Sequence, residues 1–90
     1  MDESAVIVEL LGLARHRAAC TELTAGGRTV GEVLNSVVRA CPGLRDVFAA
    51  DGSLSRRYLV SIDGERFIDN LSDSCPAGAR LLILGADPGG

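Results

Sequence analysis

In TVGEVLNSVVRACPG, residues 29–43, apolar side chains recur at three- and four-residue steps. Val30, Val33, Leu34, Val37, Val38 and Cys41 therefore fall on one stripe of a helix with 3.6 residues per turn. Thr29 and Glu32 have the spacing of a capping box. In that motif the threonine hydroxyl accepts from the Glu32 amide while the carboxylate reaches back to the Thr29 amide. Pro42-Gly43 cannot continue the helix and closes it. Cys41 completes the stripe, which marks it as a core thiol rather than a nucleophile. A helix with a single apolar face needs another layer to bury it, and the flanking segments supply strands.

Upstream, residues 5–13 read AVIVELLGL, rich in β-branched side chains and apolar on both alternations. Val6, Val8 and Leu10 share one face, and Ile7, Glu9 and Leu11 share the other. A strand apolar on both faces is either covered twice or offers one face to a partner. Residues 14–17 are expected as a loop, and 18–23 as a second strand paired back in a hairpin ending at Gly26-Gly27.

Downstream, 44–50 is expected as a short helical turn carrying Leu44, Val47 and Phe48. Residues 58–62 alternate as a strand, and Asp63-Gly64 is a two-residue hairpin signal. A short returning strand follows over 65–68, then a polar loop over 69–78 and a last strand over 80–84. The order predicts an α+β fold, a β-grasp roll of ubiquitin-like type. It would have a mixed sheet of four to five strands and one main helix packed on one face. The other sheet face, with Ile7 and Leu11, is left for a partner. Residues 1–84 would form this domain and 85–90 a flexible tail.

Ninety residues make one small domain, and 47% hydrophobic with 23% charged residues is a globular composition. The net charge of −3, three aromatic residues and no basic run beyond Arg56-Arg57 disfavour nucleic-acid binding. No apolar stretch is long enough to span a membrane, and the acidic start Met1-Asp2-Glu3-Ser4 is unlike a signal peptide, so a cytoplasmic location is expected. Cys20, Cys41 and Cys75 are widely spaced and His16 is the one histidine, so no metal site is expected and the thiols are expected reduced. Every basic residue is an arginine. A chain that carries an activated acyl group gains from lacking amine nucleophiles of its own, although codon usage alone accounts for the same bias.

The sequence closes on LLILGADPGG, residues 81–90. Fully extended, the six residues after Leu84 reach roughly 20 Å, enough to enter a neighbour's active site while the domain docks outside. Gly89 and Gly90 make the end thin, with no Cβ to block a narrow channel. Pro88 holds the path extended, and Asp87 brings a negative charge that needs a partner cation. The carboxylate of Gly90 is then the one functional group at the tip. It is a poor electrophile until activated, for instance as an acyl-adenylate. Chance gives a Gly-Gly ending in only about 1–2% of chains at this glycine content.

With VIVELLG at 6–12, TVGEVL at 29–34, LSRRYLVSIDGERF at 54–67, LSDSCPAGARLLIL at 71–84 and the final GG, the whole chain resembles the ubiquitin-like sulfur-carrier proteins. These include the small subunit of molybdopterin synthase, the thiamine-thiazole carrier and the actinobacterial carrier of cysteine biosynthesis. The resemblance implies a carrier that is not itself an enzyme and binds no permanent cofactor. An ATP-dependent adenylating enzyme would act on Gly90, a sulfur donor would convert it to a thiocarboxylate, and a partner synthase would accept the sulfide. Gly89 would let the tip pass through the partner's channel, with Asp87 and Pro88 entering behind it. A protein modifier joined to targets through Gly90, and an interaction domain with an idle tail, are the alternative classes.

Overall fold

A computed structural model describes residues 5–86. Five strands and two α-helices appear in the order β1 (Ala5–Leu11), α1 (Leu13–Ala18), β2 (Glu22–Gly26), α2 (Val30–Ala40), a 3₁₀ helix (Pro42–Val47), β3 (Tyr58–Ile62), β4 (Arg66–Ile68) and β5 (Arg80–Gly85). The strands form one mixed sheet in the order β2-β1-β5-β3-β4. β1 and β5 run parallel at its centre, and every other pairing is antiparallel. This is the β-grasp arrangement expected, with α2 packed across one face.

The stripe on α2 is buried as its spacing requires: Val30, Val33, Leu34 and Val37 are inaccessible to solvent. They meet Val6, Val8 and Leu10 of β1, Leu81 and Ile83 of β5, and Val60 of β3 in one core. Cys41 and Cys75 belong to that core as free thiols. The cap of α2 differs from the simple box. The Thr29 hydroxyl accepts from the Glu32 amide at 3.2 Å, but the Glu32 carboxylate accepts from the amide of Arg28 at 2.9 Å. The loop after β4 satisfies two more amides of the first helical turn. Val30 donates to the Asp73 carbonyl and Gly31 to the Leu71 carbonyl, both at 2.9 Å. The free N–H groups of a helix start thus find partners in a segment that reads from sequence as a plain polar loop.

Three expectations are corrected by the structure. Residues 14–17 are not a loop but the body of α1, which starts from Gly12 at φ 58° and stops at Ala19 at φ 60°. At six residues it is too short to display a helical stripe, and Ala14 is its one buried side chain. Because α1 occupies the chain to Ala18, β2 begins at Glu22 rather than at residue 18. It pairs with β1 from Glu9–Glu22 to Ala5–Gly26. The turn at Asp63-Gly64 forms, with φ of 56° and 71° giving the left-handed pair that matches strand twist. Ile62 pairs with Arg66, however, so Glu65 joins the connection and β4 starts one residue later than expected.

Candidate functional site

The last strand sets the geometry of the site. β5 runs one residue further than its apolar pattern, since Gly85 still pairs with Tyr58 and the Ala86 amide donates to the Arg57 carbonyl at 2.8 Å. Gly85 shares the strand phase of Leu81 and Ile83 and so faces the α2 side of the sheet. There Leu13 of α1 occupies the space a side chain would need: a Cβ on Gly85 would stand 2.7 Å from the Leu13 Cβ. The chain therefore leaves the sheet pinned between α1 and the segment entering β3. Asp87, Pro88, Gly89 and Gly90, the residues expected to carry the chemistry, lie outside the described residues.

On the sheet face away from α2, register lines up three cross-strand rows. At the end where β5 finishes, Leu11, Leu84 and Leu59 stand side by side. The next row places Glu22, Glu9, Leu82, Ser61 and Phe67 across all five strands. The third holds Thr24, Ile7 and Arg80. Ile7 and Leu11 thus sit on the uncovered face and are half-buried. Leu59 and Phe67, at 40% and 67% accessible, are the large apolar side chains exposed among the described residues. The apolar part of this face, Leu11, Leu59, Leu82, Leu84 and Phe67, lies toward the exit of the chain. The far end is polar, with Arg80 between Glu9 at 3.6 Å and Glu22 at 3.5 Å. Leu59 and Leu84 alternate with buried neighbours within their strands, so the pattern contained the signal. Exposure on Phe67 follows from β4 being a three-residue edge strand, which composition does not reveal.

Two arginines stand close to the same exit: the Arg57 carbonyl accepts from the Ala86 amide, and Arg17 of α1 shares one carboxylate with Arg57. One carboxylate organises them. Asp46 accepts from the Tyr58 hydroxyl at 2.6 Å, forms an ion pair with Arg17, and lies 3.8 Å from the Arg57 guanidinium. Burial alone would push the Asp46 carboxyl up. The Tyr58 hydroxyl and the Arg17 charge outweigh it and hold the group below its usual range. Burial and the adjacent carboxylate push the Tyr58 phenol up, so it remains a donor. Gly43 is what lets these parts close: a Cβ there would come within 2.1 Å of the Arg17 carbonyl oxygen.

The described part of the site is an apolar sheet patch beside the ion-paired cluster of Asp46, Arg17 and Tyr58. Among the described residues no cluster of three or more His, Cys, Asp or Glu side chains could hold a metal ion. None of their helices is long and apolar enough to cross a membrane.

No family model matches the chain, and no curated protein does. Solved structures do. SAMP1 from Haloferax volcanii is 27% identical, with a TM-score of 0.82 over 96% of this chain and 99% of that one. The small archaeal modifier protein 1 of Methanosarcina acetivorans is 25% identical, with a TM-score of 0.80 over 97% of both chains. A chain of the Amycolatopsis orientalis BexX/CysO complex is 24% identical, with a TM-score of 0.79 over 94% of this chain and 99% of that one. The described residues thus adopt a ubiquitin-like β-grasp fold whose structural neighbours include the small archaeal modifier proteins and, in fold alone, a chain of the BexX/CysO complex, in accord with the resemblance to the ubiquitin-like sulfur carriers.

Proposed function

We propose that the protein is a sulfur carrier working through the carboxylate of Gly90. The observation that carries this reading is the setting of the chain exit. A firmly paired β5 brings the chain as far as Ala86 beside an apolar sheet patch and Arg57, a fixed base from which a delivery arm could start. The Gly90 carboxylate attacks the α-phosphate of ATP in a partner adenylating enzyme, and pyrophosphate leaves. Hydrosulfide from a sulfur donor then attacks the acyl carbon, AMP departs, and a thiocarboxylate remains. A partner synthase takes that sulfide. The leucine patch and Phe67 seat the domain on these partners, with Ile7 at its margin, while Asp87, Pro88 and Gly89 thread the channel. The catalytic groups belong to the partners, in the cytoplasm, and this chain keeps no cofactor.

Intact mass after incubation with ATP, an adenylating enzyme and sulfide tests the reading. A gain of about 16 Da, the exchange of oxygen for sulfur, is expected, and deletion of Gly90 abolishes it while the folded domain persists. An unchanged mass with an enzyme that adenylates the chain overturns it.

A second reading has its own support, because two of the structural relatives bear the name of small archaeal modifier protein 1. As a modifier, the chain would join through Gly90 to amines on target proteins. A ladder of heavier adducts in cell extract, lost on deleting Gly90, distinguishes that role from sulfur delivery.

A further inference from the structure

We propose that Cys20 and Cys41 are a modification site: an oxidisable pair that closes into a reversible intramolecular disulfide. Cys20 lies in the turn between α1 and β2, and Cys41 is the residue that caps the C-terminus of α2. Their sulfurs are 3.8 Å apart, although the two positions are far apart in sequence and neither belongs to a Cys-x-x-Cys motif. A disulfide needs sulfurs at about 2.05 Å, so closure asks for a movement of somewhat under 2 Å. The Cys20 side is able to supply it, since residues 19–21 belong to no helix or strand and follow a left-handed Ala19.

The two thiols are unequal. Cys20 is partly buried at the edge of the core, where a small oxidant can reach it, whereas Cys41 is 8% accessible and held in the core. Burial, and then the contact with Cys20, push the Cys41 thiol up, so Cys41 is the less reactive of the two toward an outside oxidant. With hydrogen peroxide as oxidant, the Cys20 thiolate attacks one oxygen, the O–O bond breaks, and a sulfenic acid and hydroxide result. The Cys41 sulfur then attacks the Cys20 sulfur, the S–O bond breaks, and water leaves with the Cys41 proton. Two thiols are oxidised and one peroxide is reduced to two waters. The bond would clamp the turn after α1 to the junction of α2 and the 3₁₀ helix. Those are the elements that carry Arg17 and Asp46 beside the chain exit. Cys75 is 1% accessible and hydrogen-bonded through its amide to Arg28 at the opposite end of α2, so it serves as an internal control.

The test treats the native full chain with a slight excess of hydrogen peroxide, then alkylates it under denaturing conditions and maps the peptides. A loss of about 2 Da, a linked Cys20–Cys41 peptide, alkylation at Cys75 alone and reversal by dithiothreitol are expected. In Cys41→Ser, oxidation should instead run on to sulfinic acid at Cys20 of a monomer. In Cys20→Ser, a near-isosteric change at the edge of the core, Cys41 and Cys75 should both stay alkylatable under the same dose. The proposal is overturned if the wild type yields sulfinic acid at Cys20 with Cys41 still alkylatable. Chains joined to one another through Cys20 would overturn it equally.

Discussion

Replacing Gly43 by alanine drives a methyl group into the backbone of α1. The new Cβ would stand 2.1 Å from the Arg17 carbonyl oxygen, whereas ordinary contact begins at about 3.4 Å. Relief therefore takes about 1.3 Å of separation between α1 and the 3₁₀ helix. That opening cannot be confined to one side chain, because the atom struck is main chain. It also pulls Asp46 away from Arg17, and from the Tyr58 hydroxyl bonded to it at 2.6 Å. Overpacking costs about 1–3 kcal/mol, and weakening a charge-assisted hydrogen bond about 1.5–3 kcal/mol, with partial overlap between the two. We expect a loss of about 3 kcal/mol, which for a domain of this size lowers Tm by about 12–24 °C. Urea unfolding followed by circular dichroism, with the m value compared between variants, measures it. Gly52→Ala is the control. That glycine sits at φ 89° with open space around a Cβ, so only backbone strain of about 1 kcal/mol is expected. If Gly43→Ala costs no more than Gly52→Ala, the close approach of α1 and the 3₁₀ helix is not what holds this end of the domain.

Asp46→Asn should destabilise the protein by about 1–2 kcal/mol at neutral pH, because the amide keeps the Tyr58 contact but loses the charge that faces Arg17. Since folding lowers the Asp46 pKa, its contribution is complete above the unfolded-state value and disappears as pH falls through the folded-state value. The gap between variant and wild type in urea titrations should therefore close below about pH 4, and a gap constant with pH would refute the ion-pair account. Phe67→Ser, at a side chain 67% accessible, should change stability by no more than about 0.5 kcal/mol. Its rate of Gly90 adenylation by the cognate enzyme should nonetheless fall several-fold through weaker docking, and an unchanged rate would remove Phe67 from the interface.

Local pattern carried the parts of this fold that are local. The α2 stripe, its Pro-Gly stop and the Asp63-Gly64 turn each follow from neighbours within a few residues, and each is where the spacing places it. The helix α1 was hidden because six residues give less than two turns of periodicity, and its anchoring is tertiary, through Ala14 in the core and Leu13 over Gly85. The cluster of Arg17, Asp46 and Tyr58 joins three distant segments, and no spacing rule connects them. Of the sheet face, the placement of Ile7 and Leu11 away from α2 was legible from the two-sided alternation of β1. The row that places Leu84 beside Leu11 and Leu59 depends on register, which only the assembled sheet fixes.

The placement of β5 also has a consequence for biosynthesis. A strand near residue 80 forms the middle of the sheet, bonded to β1 on one side and β3 on the other. A ribosome-bound chain that has not yet exposed those residues holds two separate strand pairs with no shared edge. Such a nascent chain lacks Leu81 and Ile83 from the core over the α2 stripe, so the sheet closes only once β5 is free. Both strand pairs are then joined in the same event, through β5. An enzyme that grips the assembled sheet face would never meet a tip whose domain is still unfinished.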